Sequence, residues 1–166
     1  MQFKALGNSG IVVPEICLGT MTFGEQNNQQ QAFDQLDYAL ERGVYFWDTA
    51  EMYPVPPKPE TQGSTEQIIG NYLKQRGGRD KVFLASKVGS HIRDGQTRFN
   101  RTDIHDALDG NLQRLQTDYI DLYQLHWPQR PSNIFGHLGY GNPEASQATD
   151  LTPLEETLTA LSDEVK

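Results

Sequence analysis

The chain is an α/β protein built around a parallel sheet, and three features of the sequence say so. Short apolar runs rich in β-branched and aromatic residues alternate with segments whose apolar residues recur at helical spacing. Glycines punctuate the junctions, as at Gly43 and Gly77-Gly78. The runs end in ionisable residues, the position at which parallel α/β folds place their chemistry. Four strand–helix units in series require crossovers of the right-handed kind and parallel strands.

The elements can be taken in order. Gln2 to Leu6 reads as a strand, Gly7-Asn8-Ser9-Gly10 as a turn and Ile11 to Val13 as its hairpin partner. Pro14 separates this hairpin from the run Glu15 to Leu18, which Gly19-Thr20 follows. Phe33, Leu36 and Leu40 mark a helix, stopped at Gly43, and residues 44–48 form the next strand. Ser64 with Gln67 three residues on has the form of a capping box, and Ile68, Ile69, Tyr72 and Leu73 supply the inner stripe of the helix it opens. A strand over 82–86 follows. Thr102 is the expected cap of a helix whose inner face is Ile104, Leu108, Leu112 and Leu115, and residues 119–125 form the last strand. Thr152-Pro153 with Glu155 opens a final helix, with Leu154, Leu158 and Leu161 on one side.

Two architectures share this alternation: an open doubly wound sheet, and a segment of a (β/α)₈ barrel. A dinucleotide-binding open sheet needs G-x-G-x-x-G after its first strand, and Gly19-Thr20-Met21-Thr22-Phe23-Gly24 does not provide it. Two long loops follow strands at the end where the ionisable residues lie. Residues 54–63 carry four prolines and are expected to be stiff and extended, and residues 128–150 are polar and glycine-containing. Such loops shape access to a site as readily as they decorate a surface.

Composition narrows the function classes. At 166 residues the chain is one domain, and 36% hydrophobic residues with a mean hydropathy of -0.63 suit a polar-surfaced globule. No run approaches the roughly 20 apolar residues of a membrane span, and the first residues lack the apolar core of a signal peptide. A single cysteine, Cys17, excludes an internal disulfide and fits a reducing cytoplasm. Inside Ile16-Cys17-Leu18 it is expected to be a buried small hydrophobe. A net charge of -8 argues against a nucleic-acid surface. Lys74, Arg76, Arg79 and Lys81 are expected to be a solvated helix end. One cysteine and scattered histidines give no metal-ligand spacing.

Four residues stand out. Asp48 closes the run 44–47, Tyr53 lies in the loop after it, Lys87 closes the run 82–86, and His126 closes the run 119–125. Singly each has an ordinary reading: a turn cap, a packing aromatic, a solvated strand end, a half-buried imidazole. His91, His105 and His137 keep that ordinary reading. Together the four placements are hard to attribute to chance.

These residues sit in Asp48-Thr49-Ala50-Glu51-Met52-Tyr53, in Leu84-Ala85-Ser86-Lys87 and in Asp121-Leu122-Tyr123-Gln124-Leu125-His126-Trp127-Pro128. With Leu18-Gly19-Thr20-Met21-Thr22-Phe23-Gly24 as a first barrel strand and its loop, the set resembles the aldo-keto reductases over essentially the whole chain. Residues 51–66 are similar to the family's Tas-like bacterial branch. The resemblance implies an N-terminal hairpin plus about four βα units of a (β/α)₈ barrel, that is, the N-terminal half, with two open sheet edges.

It also implies reduction of an aldehyde or ketone by hydride from a nicotinamide cofactor, usually NADPH. Tyr53 would be the proton donor, Lys87 the ammonium that favours its phenolate, Asp48 the counter-ion and His126 the group that polarises the carbonyl. Gly19, Thr20, Met21 and Asp48 would meet the nicotinamide ribose, and Phe23 and Trp127 would line the substrate pocket. The family's carboxamide and pyrophosphate contacts come from later strands. A second function class stays open on this footing, a non-catalytic half-barrel or regulatory module. Its partner would be a second copy or a complementing C-terminal half at the open edges.

Overall fold

The computed structural model describes residues 1–89, 99–129 and 151–165. The opening hairpin pairs β1 (Phe3–Ala5) with β2 (Val12–Pro14) antiparallel, in the register Phe3↔Pro14. Pro14 therefore ends the second strand instead of standing outside it. The hairpin is tied to the sheet by Tyr45, whose hydroxyl donates to the Val12 carbonyl at 2.9 Å and whose ring stacks on Phe3. Tyr45 immediately precedes the strand that ends at Asp48, so the hairpin covers the N-terminal end of the sheet.

The main sheet holds four parallel strands in sequential order: β3 (Leu18–Gly19), β4 (Phe46–Asp48), β5 (Phe83–Val88) and β6 (Leu122–Leu125). Leu18 pairs with Trp47, Trp47 with Leu84, and Ala85 with Leu122. The strands are shorter or shifted relative to the apolar runs. β5 continues two residues beyond 86, because Lys87 and Val88 still pair with Gln124 and Leu125. β3 and β6 each have one strand neighbour among the described residues.

Helices α1 (Gln29–Glu41), α2 (Ser64–Arg76), α3 (Arg101–Leu115) and α4 (Leu154–Glu164) follow the four strands in turn. A true capping box starts α1, with Asn28 accepting from the Gln31 N–H and the Gln31 side chain accepting from the Asn28 N–H. The expected box at Ser64 does not form. Gly63 in the left-handed region (φ 80°) is the cap, and Ser64 is already helical. The start of α2 is held instead by Thr65, whose buried hydroxyl donates to the Phe23 carbonyl at 2.7 Å. That contact needs Gly24, where an added Cβ would lie 2.9 Å from Ser64 Cβ at a φ of 97°. At α3 the cap is Asn100, accepting from the Asp103 N–H, and Thr102 lies inside the helix.

The core lies between helices and sheet. Trp47 is fully buried at its centre and donates its indole N–H to the Val44 carbonyl, while Tyr72 packs edge-on against both Trp47 and Phe33. A second cluster joins Val88, Phe99, Ile104, Ala107 and Ala160. Of the stripe predicted for α4, Leu161 packs against this second cluster, but the inward face is otherwise rotated. Leu154 and Leu158 are exposed, and Thr157 and Ala160 face inward, with the Thr157 hydroxyl bonded to the Phe99 carbonyl. On α3 the buried face is Ile104, Ala107, Asn111 and Leu115, with Leu108 and Leu112 half-buried. Arg79 is not a solvated helix end. Its guanidinium donates to the Val82 and Tyr119 carbonyls, to Thr117 and to Asp121, and lies 3.8 Å from the Tyr119 ring centroid.

Among the described residues no helix is long and apolar enough to cross a membrane. Within the long loop after β6, residues 130–150 lie outside the described residues, as do His91 and His137.

Candidate active site

Parallel pairing of β3, β4, β5 and β6 brings their C-terminal ends to one side, and Asp48, Lys87 and His126 are carried there by consecutive strands. The backbone ladder runs on past Asp48, because the Thr49 N–H donates to the Ala85 carbonyl at 2.9 Å. Thr20, fully buried, donates both its N–H and its hydroxyl to the Asp48 carbonyl at 3.0 and 2.9 Å. Asp48 is thus fixed from β3 and β5 at once. The His126 N–H donates to the Val88 carbonyl at 2.9 Å, which anchors it to the strand that bears Lys87.

Tyr53 is not on a strand, and its placement depends on the loop 54–63. This loop closes on itself instead of extending. The Gly63 N–H donates to the Tyr53 carbonyl, the Tyr53 N–H donates to the Ala50 carbonyl, and the Val55 N–H donates to the Met21 carbonyl. A compact loop whose two ends meet at Tyr53 holds that residue without a ladder.

The side chains converge. Lys87 Nζ lies 2.6 Å from Asp48 Oδ2, 2.8 Å from the Thr49 carbonyl and 3.3 Å from the Tyr53 hydroxyl. It also sits 4.8 Å from the Tyr53 ring centroid. With only 14% of its side chain exposed, Lys87 spends its three donors on three acceptors. The Tyr53 and His126 rings meet edge to face at 5.6 Å, and His126 stacks on Trp127 at 4.4 Å. All four sequence-selected residues therefore occupy one constellation.

The remaining sequence-selected residues divide. Gly19, paired with Asp48, and Met21 are both exposed, and nothing lies within 4 Å of a Cβ added to Gly19. Trp127 is half-buried, stacked on His126 and packed against the second core cluster. Phe23, expected to line the substrate pocket, is 1% exposed and belongs to the core with Ile68 and Ile69. The Thr65–Phe23 bond pulls it under α2, away from any open surface. Cys17 also departs from expectation, because it is exposed at the surface, with its thiol only partly screened from water. Desolvation, then the Asp48 carboxylate, push its thiol up to about 11, with Lys87 acting in the opposite sense.

One group with no place in the sequence reading supports the site from behind. Glu66, fully buried on α2, accepts from Ser86 at 2.6 Å, from Asn111 at 2.5 Å and from Arg114 at 2.7 Å. Asn111 in turn accepts from the Tyr123 hydroxyl. This network joins α2, β5, α3 and β6 directly behind Lys87. Its signal was in the sequence: Glu66 shares a helical face with Ile69 and Leu73, and Asn111 shares one with Ile104, Ala107 and Leu115. A polar residue on an apolar stripe calls for a buried partner.

With this geometry in view, comparison with known proteins is informative. The family model described as aldo/keto reductase family matches residues 15–166. The chain is 48% identical to Protein tas of Escherichia coli (strain K12) over 169 residues, covering 98% of this chain and 48% of that protein. It is 41% identical over 133 residues to an uncharacterized oxidoreductase, YrpG, of Bacillus subtilis (strain 168), covering 76% of this chain and 40% of the relative. Among solved structures, the holo form of the aldo-keto reductase AKR11C1 from Bacillus halodurans superposes with a TM-score of 0.71 at 32% identity, over 98% of this chain and 46% of that one. The chain spans about half the length of the curated relatives it matches.

Proposed function

The chain belongs to the aldo/keto reductase family, and on that premise we propose that its four converging groups serve the NADPH-dependent reduction of an aldehyde or ketone to an alcohol. The observation that carries the reading is the contact set of Lys87, within 2.6 Å of Asp48 and 3.3 Å of the Tyr53 hydroxyl, with His126 against the Tyr53 ring. A proton donor, a cation that stabilises the phenolate it becomes, a counter-ion for that cation and a second polar group face the same space.

The residues present suit a nicotinamide ribose. Gly19 leaves open space beside Asp48, and Met21, two residues on in the chain, is 47% exposed. When bound, the reduced nicotinamide supplies a hydride to the carbonyl carbon. His126 donates a hydrogen bond to the carbonyl oxygen and fixes its direction. The Tyr53 O–H bond breaks as its proton passes to that oxygen, completing the alcohol. Lys87 stabilises the phenolate left behind, and Asp48 holds the ammonium in place. Thr20 holds the backbone of Asp48, so the strand end need not reorganise during the step.

The test of the cofactor assignment is titration of NADPH fluorescence with the 166-residue chain. Saturable binding that weakens in Asp48→Ala supports it. Absence of saturable binding, or binding indifferent to Asp48, contradicts it.

A further inference from the structure

The geometry points to Glu51 as a positioning residue that locks the Tyr53 loop to the end of the strand bearing Lys87, the same segment to which the His126 N–H is bonded. The inference rests on the proposed reductase reading of the site, and adds a residue that the four-group constellation does not contain.

Glu51 lies three residues after Asp48 and two before Tyr53, and it is 3% exposed. A carboxylate removed from water to that degree is costly unless its oxygens are satisfied. Its Oε2 accepts from the Gly89 N–H at 3.2 Å, and its own N–H donates to the Lys87 carbonyl at 3.2 Å. Backbone and side chain of one residue thus grip the 87–89 segment on both sides of Val88. The Val88 carbonyl in turn receives the His126 N–H.

Gly89 completes the linkage. Its φ of 129° is one that L side chains rarely adopt, and a Cβ there would lie 3.4 Å from both His126 Cβ and the Phe99 ring. A side chain at this position would just reach His126 and Phe99, so Gly89 lies beside His126 in a backbone conformation open to glycine, with its N–H turned to Glu51. Release of the Gly89 N–H would free the backbone next to Val88, whose carbonyl holds the His126 N–H, and loosen one of the ties between the Tyr53 loop and β5. A shift of about 1 Å in a catalytic group can cost on the order of a hundredfold in rate.

Two readouts test this. In the ¹H–¹³C spectrum of histidine-labelled chain, Glu51→Ala should move the His126 imidazole signal, and Glu51→Gln, which retains an acceptor oxygen, should leave it close to wild type. His105, on α3 and paired with Glu164 and Asp109, serves as the internal reference and should not move. In aldehyde reduction, Glu51→Ala should lower kcat by roughly ten- to a hundredfold with little change in KM, and Glu51→Gln should restore most of it. If Glu51→Ala does not fold, Glu51→Asp, one methylene too short to reach Gly89, takes its place with the same expectation.

An unmoved His126 signal in the Ala or Asp variant overturns the inference, as does a Gln variant disturbed as strongly as Ala. Wild-type chain that shows no reduction at all counts against the proposed function and leaves the spectroscopic test of Glu51 standing.

Discussion

Lys87 Nζ lies 2.6 Å from Asp48 Oδ2, an ion pair that ties the C-terminal end of β5 to that of β4. Neither partner is fully exposed, with 14% and 28% of the side chains accessible. The pair also fixes the ammonium beside the Tyr53 hydroxyl, so structure and proposed chemistry meet at one contact.

Lys87→Met should abolish the support of the Tyr53 phenolate and lower aldehyde reduction by roughly 10²–10⁴-fold. Cys17 reports independently on the same charges. Its thiol is raised to about 11 chiefly by desolvation and next by Asp48, and Lys87 offsets part of that rise. Alkylation of Cys17 should therefore be slower than that of free cysteine at neutral pH, slower again in Lys87→Met, and faster in Asp48→Asn. Equal alkylation rates in all three proteins would contradict the influence of Asp48 and Lys87 on the Cys17 thiol.

Gly70 is a steric requirement of the packing between α2 and α3. A Cβ at this position would lie 2.2 Å from the Arg114 carbonyl oxygen and 2.8 Å from the Leu115 carbonyl carbon. Backbone cannot yield as a flexible side chain would, so Gly70→Ala should destabilise the chain by about 1–3 kcal/mol despite the better helix propensity of alanine. Chemical denaturation measures this. Gly43→Ala, where the space is open but φ is 78°, should act through backbone strain alone.

Tyr72 links core and charge. Burial, and then the hydrogen bond from its hydroxyl to Asp37 at 2.6 Å, raise the phenol above its ordinary value of about 10. The folded state therefore holds this proton more tightly than the unfolded chain. The resulting stability is complete below about pH 10 and is lost as pH rises toward the higher folded value. Tyr72→Phe should lose about 1 kcal/mol at neutral pH and show a shallower decline in denaturation midpoint above pH 10. An unchanged alkaline slope would contradict the assignment.

The sequence made the strands and the four converging residues legible because both depend on local pattern. The run 82–86 is apolar enough to be a strand in any parallel sheet, and Asp48, Lys87 and His126 owe their convergence only to parallel pairing. Tertiary choices were not legible. Leu154, Leu158 and Leu161 have helical spacing, but which stripe of α4 turns inward is decided by the Thr157–Phe99 bond and by the fit of Ala160 against α3. Ser64 and Gln67 have the spacing of a capping box, yet a left-handed Gly63 and the Thr65–Phe23 bond set the start of α2 differently.

Phe23 and Cys17 were misplaced for a related reason: a residue's neighbours in sequence do not say which side of a strand end or loop it occupies. Arg79 looked like one more cation at a helix end, and only the approach of residues 117–121 adds three acceptors and a ring to the local Val82 carbonyl. Glu51 was hidden by its charge, since its burial depends on Lys87 and Gly89, more than 30 residues away, whereas Glu66 was legible only as a polar residue on an apolar helical stripe whose partners the sequence does not name.

The most direct test of the central claim is the rate of NADPH oxidation in the presence of a small aldehyde, compared between the wild-type chain and Tyr53→Phe at saturating NADPH. The account predicts turnover by wild type and a loss of roughly 10²–10⁴-fold in Tyr53→Phe, with NADPH affinity nearly unchanged. Equal rates in the two proteins, or parallel loss of rate and cofactor affinity, would contradict the role given to Tyr53 and, with it, the reading of the site.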